Sequence, residues 1–112
     1  MTEIDEKPPK ISVVLPVHNA DPYLAVAMDS LLAQTFQDFE VIAINDGSTD
    51  LSGEILNEYG MIDSRVRLFH RAQRGLVVTL NEGIDLAHGE WIARMDADDI
   101  AFPHRFEPQL EP

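Results

Sequence analysis

Two short runs of the chain are almost continuously apolar and rich in β-branched residues: Ile11–Val17 (ISVVLPV) and Phe39–Ile44 (FEVIAI). A strand with one face in water alternates apolar and polar residues, whereas a strand that is apolar throughout must be covered on both faces. A central strand of a parallel sheet meets that condition, and parallel neighbours need a crossover between them. The segment between the two runs can supply one. Asp21–Pro22 reads as an N-cap with proline at the first helical position, and Leu24, Met28, Leu31 and Leu32 fall close to one helical face. The pattern then repeats. A second helix is expected from about Thr49, with Leu51, Ile55, Leu56 and Tyr59 inward and Gly60 at its end. Arg65–His70 alternates, with Val66, Leu68 and His70 on one face and Arg67 and Phe69 on the other, as in a shorter strand near an edge. Val77, Leu80, Ile84 and Ala87 make a third helical stripe ended by Gly89, and Trp91–Met95 makes a fourth strand. Four strands alternating with three helices predict an α/β fold with a mostly parallel sheet.

Composition narrows the function classes. The chain has 112 residues, no cysteine, and 8 basic against 20 acidic side chains, a net charge of −12. Without sulfur there is no disulfide framework and no thiolate zinc site. The excess of acid argues against a nucleic-acid partner held through its phosphates. No run approaches the ~18 apolar residues of a membrane helix. The polar start, MTEIDEKPPK, lacks a signal-peptide core, so a cytoplasmic location is expected. Residues 1–10, with the pair Pro8–Pro9, read as a flexible arm. Most of the acids read as a solvated surface.

In open parallel sheets, ligands bind beyond the carboxyl ends of the strands. The residues expected there are Pro16, Val17, His18 and Asn19 after the first strand, and Asn45, Asp46, Gly47 and Ser48 after the second. Arg71, Gln73 and Arg74 follow the third, and Asp96, Asp98 and Asp99 the fourth. Neither glycine-rich phosphate loop is present, so an anionic ligand needs another counter-charge. Asp96-Ala97-Asp98 offers one. Two carboxylates one residue apart, leaving a strand end, project to the same side and can hold a hard cation such as Mg²⁺ or Mn²⁺. An EF-hand loop counted from Asp96 puts Ile100, Ala101 and Glu107 at its fifth, sixth and twelfth positions, where the glutamate alone fits. An aspartyl-phosphate phosphatase also ends an apolar strand in D-x-D, but there the motif opens the fold. A lone histidine at a strand end can equally be structural, and Arg71 and Arg74 can equally be solvated loop residues.

The segments Ile11–Asn19, Ser30–Phe36 (SLLAQTF), Val41–Asp50 (VIAINDGSTD), Asn81–Ile92 (NEGIDLAHGEWI) and Met95–Asp99 (MDADD) occur in an order and spacing that resemble the N-terminal half of a family 2 glycosyltransferase with the Rossmann-like GT-A fold. The resemblance covers nearly everything from Ile11 to Gln109. It implies an inverting transfer from a nucleotide-diphospho-sugar, UDP-linked, to an acceptor hydroxyl on a saccharide or lipid-linked saccharide. It implies that Pro16–Asn19 is the first nucleotide-contacting turn, with His18 where an aromatic residue packs on the base. Asp46 corresponds to the acid that bonds the uracil or ribose, and Asn45 stands where many members carry a second acid. Asp96 corresponds to the acid facing the ribose and metal waters, and Asp98 to the contact with a divalent metal (Mn²⁺ or Mg²⁺) on the diphosphate. Asp99 has no assigned role, and Arg71 or Arg74 could reach a phosphate or the base. The general base is expected beyond residue 112, since a complete domain of this kind is about twice this length. Residues 11–112 would then be an incomplete, donor-binding part. Exposed apolar surface and self-association would be expected around Phe102, Phe106 and Leu110. A non-catalytic nucleotide-sugar-binding module is the alternative.

Overall fold

The computed structural model describes residues 7–101. In chain order its elements are β1 (Ile11–Val17), α1 (Asp21–Leu32), β2 (Phe39–Asp46), α2 (Ser52–Ile62), β3 (Val66–Arg71), α3 (Leu76–Leu86) and β4 (Trp91–Arg94). The four strands form one parallel sheet in the order β3-β2-β1-β4. This is the α/β architecture expected. The order reverses at β1: the chain runs outward through β2 to the β3 edge, then crosses back to place β4 on the other side of β1. The crevice beyond the carboxyl ends of β1 and β4 is therefore the switch point, where ligands bind in sheets of this kind.

The two apolar runs are the central strands. Every residue of β2 is buried, as is every residue of β1 except the half-buried Pro16. Ile11, Val13, Leu15 and Val17 face α1 and α2, where they pack with Leu24, Ala27, Met28, Leu31 and Leu56 in the main core. Val14, on the other face, meets α3 at Gly83, where a methyl group would lie 2.3 Å from Val14 Cγ1. That close approach explains a departure from the expected stripe. α3 buries Thr79 and Gly83, while Val77 and Ile84 are 71% and 51% exposed. Small residues face the sheet because the helix lies so near it, and the larger apolar ones turn outward.

Three other expectations are corrected. Asp21 is not a cap: Ala20 precedes the helix, and the Asp21 carboxylate instead accepts from Leu51 N at 3.2 Å. Leu51 is exposed just before α2, and that helix runs through Gly60 to Ile62. Gly60 is where Leu68 of β3 approaches, its Cδ1 2.8 Å from the position a Cβ would take. Lys10, expected in the flexible arm, is tied to the sheet, its N donating to Asp38 O and its O accepting from Trp91 N, both at 3.1 Å; residues 1–6 of the expected arm lie outside the described residues. The patch expected at Phe102, Phe106 and Leu110 lies outside the described residues. Among the described residues, no helix is long and apolar enough to cross a membrane.

The amino end of the sheet is closed by a polar network. Glu40 accepts from Ser12 Oγ (2.6 Å), His88 N (2.8 Å) and Arg67 Nη1 (3.0 Å), and Ser12 Oγ accepts from Gly89 N (2.7 Å). Burial pushes the Glu40 carboxyl up, but these donors outweigh it and hold it below its ordinary value.

Candidate functional site

The carboxyl end of the sheet is built from four turns. Pro16 is tolerated in a central strand because even-numbered residues of β1 turn their backbone polar groups toward β4, and β4 has ended by then. Its last paired residue is Arg94, opposite Val14. The missing N–H of Pro16 therefore costs no ladder bond. His18 donates from Nδ1 to the carbonyl oxygen of Asp46 at 2.8 Å. A carbonyl can only accept, so the proton is on Nδ1, and Nε2 is left as an acceptor toward the Asn19 and Gln73 amides at 3.4 and 3.5 Å. Asn19 adopts φ 50°, and its Oδ1 accepts from Thr49 N at 2.8 Å while its own N–H donates to Ser48 Oγ at 3.0 Å. The first and second turns are thus stitched together. Asn45 contributes as well: its Oδ1 caps Ser48 N at 3.0 Å, and its amide donates to His70 Nδ1 at 3.1 Å.

Asp46 is buried at the end of β2. Its carboxylate accepts from Arg74 N at 2.8 Å and Gly75 N at 3.0 Å. It fixes the loop between β3 and α3, and Gly47, at φ 69°, lets the chain turn where a Cβ would lie 2.6 Å from Gln73 N. The side chain of Arg74, expected near a ligand, is held by a neighbouring acid. Its guanidinium is ion-paired with Glu82, which Arg71 also binds through Nε and Nη2 at 3.0 and 2.8 Å. The two guanidinium groups hold the Glu82 carboxyl below its usual range. The backbone amide of Arg74 is bound by Asp46, and the side chains of both Arg71 and Arg74 pair with Glu82.

The acidic turn follows β4. Met95 is buried and donates to Val14 O at 3.1 Å; Ala97 and Ala101 are buried too, and Ala101 N donates to Ser30 Oγ at 2.9 Å. These contacts pin the backbone, while Asp96, Asp98 and Asp99 stay exposed. The strand stops two residues before Asp96, so strand alternation does not align the carboxylates. A turn does: Asp99 N donates to Asp96 O at 3.0 Å, and Asp96 N to Asp99 Oδ2 at 3.3 Å. One oxygen from each of Asp96, Asp98 and Asp99 lies within 4.8 Å of the others. Three hard oxygen donors, open to the crevice and with no soft ligand among them, suit Mg²⁺ or Mn²⁺.

These pieces border a cleft of about 400 Å³ that Pro16, His18, Asp96 and Asp98 share with Tyr23, Leu76 and Arg94. A second cavity of about 220 Å³ adjoins it across Pro16, His18 and Leu76, walled by Asp46 and Gln73. Together they have the size of a small-ligand site. Pro16, His18, Asn19, Asp96 and Asp98, all expected at the strand ends, meet in one cleft, Asp46 and Gln73 border its neighbour, and Arg74 stays outside both. One contributor went unread: Arg94, whose Nε and Nη2 donate to Asp96 Oδ1 at 3.2 and 3.1 Å, while Asp99, expected at the strand end without an assigned role, joins the carboxylate cluster. Arg94 was legible in principle, since alternation from the buried Ala93 and Met95 points it away from the core.

Known proteins carry the same pattern. A family model described as "Glycosyl transferase family 2" matches residues 12–112. An uncharacterized glycosyltransferase, EpsJ of Bacillus subtilis, is 40% identical over 103 residues, covering 92% of this chain and 30% of that protein. Glycosyltransferase GlyG of Streptococcus pneumoniae is 43% identical over 98 residues, covering 87% of this chain and 33% of that protein. The chain thus spans about a third of the length of these relatives. Among solved structures, S. aureus TarS 1–349 in complex with UDP-GlcNAc superposes with a TM-score of 0.77 at 26% identity, over 89% of this chain and 29% of that one. The mannosyltransferase PcManGT from Pyrobaculum calidifontis, in complex with GDP-Man and Mn²⁺, superposes with a TM-score of 0.78 at 24% identity, over 89% of this chain and 30% of that one, and shows the shared fold. With its GT-A-type sheet and a family model matching it from residue 12 to residue 112, the chain belongs to glycosyl transferase family 2.

Proposed function

We propose that this chain forms the donor side of an inverting, metal-assisted glycosyl transfer from a UDP-linked sugar to an acceptor hydroxyl. The observation that carries the reading is that Asp96 and Asp98 line the switch-point cleft together with Pro16 and His18, with the Asp99 carboxylate gathered beside them. Acids gathered where an anion should bind make sense if a cation joins them. The complexes of TarS with UDP-GlcNAc and of PcManGT with GDP-Man and Mn²⁺ support the same assignment. Family membership sets aside the aspartyl-phosphate phosphatase reading.

On this reading, residues 11–112 are the donor-binding part of a transferase domain. Asp98, with Asp96 and Asp99, holds the divalent ion. His18 and Pro16 wall the nucleoside side of the cleft. Asp46 acts at one remove: by binding Arg74 N and Gly75 N it sets the loop that closes the smaller cavity. When bound, a divalent cation supplies Lewis-acid stabilisation of the negative charge that grows on the departing diphosphate. The acidic turn contributes by being preset, because its backbone is pinned and little reorganisation is left. The acceptor hydroxyl must lose a proton as it attacks, and an Asp or Glu on the opposite face of the sugar is the expected base. The reading assigns none of the described residues to that role.

Calorimetric titration of UDP tests it. Binding should require Mn²⁺ and fall at least about tenfold in Asp98→Ala, as loss of a ligand to the ion demands. Binding of equal strength in EDTA, or none under either condition, would contradict it.

A further inference from the structure

We propose that Arg94 is the resident counter-ion of the acidic turn, displaced from Asp96 by a divalent cation and then available to the phosphates of the incoming ligand. The inference rests on the glycosyl-transfer reading and adds a residue and a coupling to it. Arg94 ends β4 and lines the same cleft as Asp96 and Asp98. Its Nε and Nη2 both donate to one oxygen, Asp96 Oδ1, at 3.2 and 3.1 Å. Without a counter-charge, three carboxylates within 4.8 Å of one another repel, and the guanidinium relieves part of that repulsion. The pair is half-exposed on both sides, and such pairs are weak. A dication reaching three carboxylates at once outcompetes it. Arg94 lines the wall of the cleft, where its planar fork suits phosphate oxygens. Cation and diphosphate should then bind cooperatively, each strengthening the other by the same factor.

The test is direct binding to the full chain. Mn²⁺ alone, followed by electron paramagnetic resonance, should bind about two- to fivefold more tightly to Arg94→Ala than to the wild type, the range of an exposed ion pair. UDP at saturating Mn²⁺ should bind that variant about tenfold more weakly, the loss of a charged hydrogen bond. Arg94→Gln keeps the side-chain length and should behave as Arg94→Ala does, which guards against a folding defect in the truncation. Arg94→Lys keeps the charge and should return Mn²⁺ affinity toward the wild type. Unchanged or weaker Mn²⁺ binding in both neutral variants, or unchanged UDP binding, overturns the proposal for Arg94 and leaves the functional reading standing. Absence of Mn²⁺ binding to the wild type overturns both.

Discussion

The two ends of the sheet handle carboxylates in opposite ways. At the amino end, Glu40 is buried and surrounded: Ser12, His88 N and Arg67 all donate to it. At the carboxyl end, Asp96, Asp98 and Asp99 are exposed and crowd one another, and Arg94 pairs with Asp96. A satisfied buried charge serves the fold. On the proposed reading, a pinned cluster of exposed charges with a weak counter-ion serves a ligand that arrives later. The same residue chemistry thus yields structure at one end and a site at the other, and the difference lies in which donors the backbone brings near.

The contrast can be broken at several points. Glu40→Ala should cost the most, about 3–5 kcal/mol in urea unfolding, because Arg67, Ser12 and His88 N all lose their acceptor. Its folded fraction should still bind Mn²⁺ normally. A loss below about 1 kcal/mol would mean the amino-end network is decorative. Ser12→Ala should cost about 1–3 kcal/mol by the same assay, since Gly89 N loses its partner. Asp98→Asn should reverse the pattern: Mn²⁺ affinity falls at least about tenfold, while stability holds or rises by under about 1 kcal/mol as like-charge repulsion is relieved. A large stability loss in Asp98→Asn would show that the acidic turn is structural after all. The pH response is the smallest effect. Glu40 is held below its ordinary value of 4.5, so its contribution is complete above that pH and disappears as pH falls through the lower folded value. Acid unfolding of Glu40→Gln should lack that component.

The sequence announces some of this and conceals the rest for physical reasons. Buried strands betray themselves because most positions are apolar and the few polar ones, such as Ser12 and Glu40, must find partners, so β1, β2 and the order of elements were readable. The aspartate pair was readable because D-x-D is a local pattern. Asp99 was readable as an acid at the strand end but not as a member of the cluster, because its carboxylate joins the others through a turn that forms after the strand has ended. The true buried face of α3 was hidden for a related reason. Periodicity favours the larger apolar residues, whereas the closeness of Val14 to Gly83 selects the small ones. The partner of Arg74 was hidden because Glu82, eight residues on, reaches its guanidinium only once α3 has packed beside the loop.

The central claim is that cation binding belongs to the carboxyl end of the sheet. Substoichiometric Mn²⁺ added to isotope-labelled protein broadens amide resonances steeply with proximity to the ion. The account predicts that the amides of Asp96–Asp99, His18 and Asn19 lose intensity first, that UDP sharpens this selectivity, and that Ser12, Glu40 and Gly89 stay intact. Broadening that starts at the amino end, or spreads evenly over the acidic surface, would contradict it.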